Sequence, residues 1–333
     1  MRCPVQVFQF DGGFWTTCAE GWVNCQGPVA GWSFSRRRPF DRLDTVRSRG
    51  KIGRPAKGLQ LNVPLVLILL VAANSCALAE INSGTIVVLA FTKSKAILIA
   101  DGHAVTARHK AVDNKCKIAA SSGRFLFSIA GVAGDEHWDA FATAKRIADT
   151  QLSVGQAGRS QMMSIVNAWS SETLAWWKTV PERSVERAFS AHGERLMSAL
   201  FCLRLEDNTI LYYTVQVLIQ DPQYRKFGVD IHEQHPPPNE TFKIGAFGET
   251  DIADQLLRPM LPKKARLPLI RNELKQWKAM PENEETARFR ARRIIDLTIA
   301  NSRYGSLVGG DINHVELDRT GIHWLTDNDE CRQ

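Results

Sequence analysis

Two apolar, β-rich runs, residues 85–91 (TIVVLAF) and 96–100 (AILIA), are separated by the polar stretch Thr92-Lys93-Ser94-Lys95, a pattern that predicts a β-hairpin. A third run, residues 125–130, ends in Gly131-Val132-Ala133-Gly134. From Asp135 the spacing lengthens: Trp138, Phe141, Ala142, Ala144, Ile147 and Ala148 recur at helical intervals, and residues 162–180 repeat the habit up to Pro181, predicting two helices. Strands return at 196–205 and 209–219, with Glu206-Asp207-Asn208 as the turn, and again at 241–246. Helices are expected over 250–257, 269–280 and 283–299, and closing strands over 311–317 and 321–325. The block order of strands, helices, strands, helices, strands predicts an α+β fold, not a doubly wound parallel sheet. With no internal repeat and no long linker after residue 85, residues 85–327 read as one domain and 328–333 as a tail.

Upstream lies a different pattern. Leu61 to Ala73 reads LNVPLVLILLVAA, preceded by the basic stretch 47–57 and followed by Ala77-Leu78-Ala79. A basic flank, a short apolar run and an A-x-A end predict a signal peptide over 61–79, cleaved after Ala79, that leaves a propeptide at 80–84 and exports the protein to a periplasmic or extracellular space. The competing readings are a buried core helix and an uncleaved membrane anchor, the latter from a run shorter than the roughly 20 residues a bilayer span prefers. Residues 1–60 mix Trp15, Trp22 and Trp32 with Gly, Pro and Arg without periodicity, so they read as disordered or as a leader from a start codon placed too far upstream.

Charge changes the picture little. The formal charge is +7, but residues 1–60 carry 10 of the 42 Lys and Arg and 4 of the 35 Asp and Glu, so the rest of the chain is nearly neutral. That removes the electrostatic case for binding a phosphate backbone, and no nucleic-acid partner is expected. Of the seven cysteines only Cys116, Cys202 and Cys331 follow residue 85, which gives no metal spacing, allows at most one bridge and implies none.

The candidate chemistry begins at Thr85. A threonine hydroxyl is a weak nucleophile, but a freed α-amino group with an ordinary pKa near ~8 can take its proton directly or through water. A nearby ammonium such as Lys117 lowers that amine's pKa and stabilises negative charge on the threonine oxygen, and Asp101 holds the ammonium charged and oriented. Gly84-Thr85, Ala100-Asp101, Lys117-Ile118 and Ala130-Gly131 follow one another at separations of 16, 16 and 14 residues. This register resembles the β-subunit family of proteasomes and their bacterial relatives, which are N-terminal-nucleophile hydrolases. The resemblance spans about 50 residues. It implies a four-layer αββα sandwich, self-cleavage between Gly84 and Thr85, Thr85, Asp101 and Lys117 as catalytic residues, and the backbone N–H of Gly131 as oxyanion donor. It implies a peptide or amide substrate, no cofactor or metal, and assembly into a homo-oligomeric ring.

The chain departs from the family in places. His103 stands where an Arg usually follows the aspartate, and Gly305 and Val308 replace the Asp and Ser that precede the Gly309-Gly310 pair. Ser306 or Thr250 could substitute. The resemblance sets Ala104, Lys115, Ile129 and Ala133 around the first substrate side chain, with Lys115 favouring acidic residues. A catalytically inactive ring or binding subunit is the rival expectation, and a small-molecule amidase using the same Thr85 chemistry is a third. A membrane is expected only through an uncleaved leader.

Other features read more plainly. His232-Glu233-Gln234-His235 before Pro236-Pro237-Pro238 predicts a polar loop rather than a metal site. Trp169, Trp176 and Trp177 are expected in the core or a subunit interface. Arg288, Arg290, Arg292 and Arg293 predict a solvated helix face.

Overall fold

The computed structural model describes residues 6–10, 13–18, 21–24, 86–105, 111–112, 115–153, 157–221, 225–248, 250–257, 268–301, 308–326 and 331. The leader at 61–79, the propeptide at 80–84, Thr85, Gly305 and Ser306 lie outside these residues. The chain forms two compact units, Met1–Asn62 and Val63–Gln333.

In the first unit, where no regular element was expected, β1 (Gln6–Phe10), β2 (Gly13–Cys18) and β3 (Gly21–Asn24) form a three-stranded antiparallel sheet. Each is short and rich in Val, Phe, Trp and Thr, residues that favour a pleated surface even without long-range periodicity.

The second unit is mixed α+β, with two five-stranded antiparallel sheets and six helices among the described residues. Its elements are β4 (Ile86–Phe91), β5 (Ala96–Asp101), β6 (Ala104–Val105), β7 (Ala111–Val112), β8 (Ile118–Ser121), β9 (Phe125–Gly131), α1 (Ala140–Leu152), α2 (Arg159–Thr179), α3 (Glu182–His192), β10 (Arg195–Arg204), β11 (Ile210–Asp221), β12 (Lys226–Gln234), β13 (Lys243–Gly248), α4 (Asp251–Leu257), α5 (Pro268–Ala279), α6 (Glu284–Ala300), β14 (Ile312–Asp318) and β15 (Gly321–Trp324). One sheet has the order β13-β4-β5-β14-β15 and the other β12-β11-β10-β9-β8; β6 and β7 pair separately.

The β4–β5 hairpin forms as expected. Its turn is closed by Thr92, whose backbone N–H donates to Lys95 O (2.9 Å) and whose hydroxyl accepts the N–H groups of Ser94 and Lys95. All twelve residues of the two strands are buried because both faces are covered. Ile86, Val88, Ala90, Ile97 and Ile99 pack with α4, α5 and α6, whereas Val87, Leu89, Phe91, Leu98 and Ala100 pack with β8–β11 of the other sheet. This accounts for apolar runs that do not alternate with polar residues. In β9 the division repeats: Phe125, Phe127 and Ile129 join the cluster of α1, α2 and α3, and Leu126 and Ala130 face the other sheet. Tyr212 of β11 ties the two sheets, its hydroxyl reaching the carbonyls of Thr92 and Lys95 (2.9 Å each).

Five elements differ from the sequence expectation: β6, β7, β8, α3 and β12. The short strands β6, β7 and β8 were not anticipated, their runs of two to four residues being too brief to show a period. Three helices, not two, follow β9: α3 carries only a narrow stripe, Val185, Ala188 and Phe189, against the core, too few apolar positions to register as a periodic segment. The polar loop expected at 232–235 is instead the end of β12, which reaches Gln234 and pairs with β11 from Lys226 onward. Phe227, Val229 and Ile231 pack on the helix-side cluster, and backbone pairing extends the strand through residues of low β propensity.

Trp169 and Trp177 are fully buried and Trp176 nearly so, in the core as expected. The four arginines of α6 are each paired: Arg288 with Glu284 and Glu316, Arg290 with Glu282, Arg292 with Asp296 and Arg293 with Glu273. No helix of the described residues is long and apolar enough to cross a membrane.

Candidate active site

β4 begins at Ile86, one residue after Thr85. The ladder Val87↔Ala100 and Val88↔Ile99, extended by one step, sets Ile86 across from Asp101 at the end of β5. The Asp101 carboxylate is fully buried and accepts two backbone amides, Ile86 N–H at Oδ1 (2.9 Å) and Gly309 N–H at Oδ2 (3.1 Å). One aspartate therefore ties the start of β4 to the glycine pair before β14.

Lys117 sits immediately before β8 and is 5% exposed. Its ammonium donates to the carbonyl of His103 (2.7 Å), two residues beyond Asp101. Burial pushes the Asp101 carboxyl up from its ordinary range, opposed by the Lys117 charge and by backbone N–H donors; burial likewise pushes Lys117 down, opposed by Asp101 and reinforced by the like charge of Lys115. The two groups are mutual counter-ions in a dry setting, so their protons are exchanged as a pair. A lysine with a lowered pKa can give and take a proton closer to neutrality than an exposed one.

The backbone that aims Lys117 is tethered at three consecutive residues. Lys115 N–H donates to Gly102 O (2.8 Å), and Lys115 O accepts from Asn313 Nδ2 (3.1 Å). Cys116 is disulfide-bonded to Cys331, 215 residues away. The fully buried Ser128 donates its hydroxyl to Lys117 O (2.6 Å). The single bridge that the cysteine count allows thus forms beside the candidate cation.

Gly131 closes β9 opposite Met197 of β10 with φ +92°, and a Cβ there would overlap Leu196 O. Only glycine meets both conditions. Gly102 is held as closely: a Cβ on it would overlap Asp311 O.

The remaining expected residues scatter. Thr250 precedes α4 and donates to Asp254 Oδ2 (3.2 Å), a bond within that helical turn; Gly248 of β13, two residues before it in the chain, pairs with Ile86 at the start of β4. Val308 is buried in the cluster of α4–α6. Ile129 is buried in the α1–α3 cluster and Ala133 packs at its edge. Ala104 lies in β6, and His103 is buried. Lys115 is exposed and borders a cavity of about 330 Å³ with Phe141, Lys145, Trp324 and the Cys116–Cys331 bridge; neither Ile129 nor Ala133 lines it.

Gly309, Asn313, Ser128 and the bridge were not anticipated. The glycine pair before a strand was legible as a motif, but its amide's aim at Asp101 depends on two segments 208 residues apart. Among the described residues no three His, Cys, Asp or Glu side chains are grouped to hold a metal ion. No protein-family model matches the sequence, and a search of curated proteins finds no match.

Proposed function

We propose that this protein is a threonine-type hydrolase of the proteasome-like N-terminal-nucleophile class, built as a four-layer αββα sandwich over residues 85–327 and matured by self-cleavage between Gly84 and Thr85. The observation that carries the reading is the double anchorage around one carboxylate: Asp101 accepts the amide of the residue after Thr85, and its counter-ion Lys117 is tied to the next turn of the same strand end. The three hydrophobic clusters, one between the sheets and one between each sheet and its helices, support the layering.

In this reading the freed α-amine of Thr85 takes the hydroxyl proton as Oγ attacks a peptide or amide carbonyl. The Gly131 N–H receives the oxyanion, a donor type worth about 10²-fold in rate. The tetrahedral intermediate collapses with proton transfer to the leaving amine, and water then releases the acyl group from Thr85. Lys117 lowers the amine's pKa and steadies charge on Oγ; Asp101 fixes Lys117. The Cys116–Cys331 bridge supports an oxidising, exported location. Assembly into a homo-oligomeric ring belongs to the same proposal, and a small-molecule amide is the alternative substrate.

An inactive ring or binding subunit is the second reading. It is favoured by Val308, an apolar residue turned into the α4–α6 cluster where the family has a serine.

Intact mass and hydrolysis of fluorogenic peptide amides separate the two. An active enzyme starts at Thr85 and loses both processing and turnover in Thr85→Ala. A native chain beginning at Glu80 with no Thr85 start rejects the enzyme reading. Its pH–rate profile should be bell-shaped: the acid limb reports the α-amine losing its proton, and the alkaline limb reports Lys117 losing its own at a pH below the ordinary lysine range. A flat profile through the alkaline range would remove Lys117 from the assigned role.

A further inference from the structure

The segment that aims Lys117 has no strand of its own: residues 115–117 run between β7 and β8 and are held by tethers from elsewhere. Three are hydrogen bonds. The fourth is covalent and reaches the far end of the chain. Both half-cystines border the cavity of about 330 Å³, which is partly open to solvent, and Lys115 and Lys145 stand on its wall.

We infer that the Cys116–Cys331 bridge is a redox-responsive latch that positions Lys117, and that the cavity beside it admits the small dithiol that opens it. This rests on the hydrolase reading for its consequence in catalysis, though not for the latch itself.

The chemistry balances with a dithiol as reductant. One thiolate attacks Cys331 Sγ, a mixed disulfide forms, and Cys116 leaves as a thiolate. The second thiol of the reagent then attacks the mixed disulfide, releasing Cys331 and closing the reagent into a cyclic disulfide; two electrons and two protons pass to the protein. The Lys115 and Lys145 side chains on the wall of that cavity favour the departing thiolate. With the bridge open, residue 116 loses its only covalent anchor while the hydrogen bonds at 115 and 117 remain, so the local opening that swings Lys117 away from Asp101 and His103 becomes more frequent.

The test uses the full-length protein purified without reductant, with dithiothreitol as the dithiol. Iodoacetamide and peptide mass mapping follow the cysteines, and acetic anhydride follows the lysines. In the oxidised protein Cys116 and Cys331 resist alkylation and Lys117, nearly buried, labels slowly. After reduction Cys116 and Cys331 alkylate, and Lys117 labelling rises roughly tenfold, the expected scale for releasing a local opening. Lys178 and Lys278, on α2 and α5, should not change, and Cys331→Ser should reproduce the reduced pattern without dithiothreitol. Fully buried Cys202 guards the interpretation, since it stays unmodified while the fold is intact.

Unchanged Lys117 labelling on reduction overturns the inference, as does alkylation of Cys116 and Cys331 without reductant. Exposure of Cys202 together with Lys117 also overturns it, because the bridge would then hold the whole fold rather than this segment. On a fluorogenic peptide amide, reduction should lower kcat by roughly tenfold or more, the scale of a small misplacement of a catalytic group, and displace the alkaline limb of the pH profile. No hydrolysis in either state, with the labelling contrast intact, would count against the hydrolase reading and leave the latch standing.

Discussion

Replacing Asp101 by Asn tests the electrostatic core of the site without assuming catalysis. The substitution keeps the shape of the side chain but removes the counter-ion from Lys117, which is 5% exposed. An Asn also has one acceptor oxygen, so it cannot receive both Ile86 N–H and Gly309 N–H as the carboxylate does. Breaking a buried ion pair from one side costs about 3–5 kcal/mol. The loss has a ceiling, because Lys117 can escape by shedding its proton. From an ordinary lysine value of 10.5, deprotonation at pH 7 costs about 5 kcal/mol, and that cost falls by about 1.4 kcal/mol for each pH unit gained. Once Lys117 is neutral in the folded variant, the unfolded chain binds the extra proton, so the stability of Asp101→Asn rises with pH. Urea unfolding at pH 7 and pH 9 should therefore show Asp101→Asn weakened by about 3–5 kcal/mol at the lower pH and recovering by about 1–3 kcal/mol at the higher, where the ceiling has fallen to about 2 kcal/mol. Adding Lys117→Met should restore much of the loss, since an uncharged pair leaves no buried ammonium. A pH-independent deficit in Asp101→Asn, or a double variant whose loss is the sum of the singles, would refute the ion-pair reasoning.

Gly131→Ala should destabilise the fold by at least about 1–3 kcal/mol, because it combines φ +92° with a Cβ driven into Leu196 O; a melting temperature within a degree of wild type would contradict that geometry. Glu316, nearly buried, is pushed up by burial, but the His314 ring 3.6 Å away and the close Lys95 ammonium (3.0 Å) and Arg288 guanidinium (2.7 Å) outweigh this and hold its carboxyl at about 2. Its stabilisation is fully present above the ordinary value of 4.5 and is lost as pH falls toward 2. Glu316→Gln should cost about 1–3 kcal/mol at pH 7, after allowance for the part-exposed Arg288, and the gap to wild type should close between pH 4.5 and 2 in acid titrations of stability; a gap constant over that range would show that the charge cluster contributes nothing.

The alternation and run lengths of the chain were enough to locate β4, β5, β9, β10, β11, β13, β14 and β15, and helices α1, α2, α4, α5 and α6 to within a few residues, because each buries a face wide enough to mark the sequence. The same local physics set Asp101 at a strand end and Gly131 at another, each at fixed spacing from Thr85. α3 and β12 left little trace, since one contributes a narrow apolar stripe and the other is held by its neighbour's backbone. What only the tertiary structure decided is the company those residues keep: Gly309 donating to a carboxylate 208 positions earlier, Asn313 and Ser128 bracing the segment around Lys117, and Cys331 closing on Cys116 across 215 residues. Spacing within one hairpin follows from the dimensions of a strand, whereas contacts over such separations exist only after two sheets have packed and their loop entropy has been met by burial.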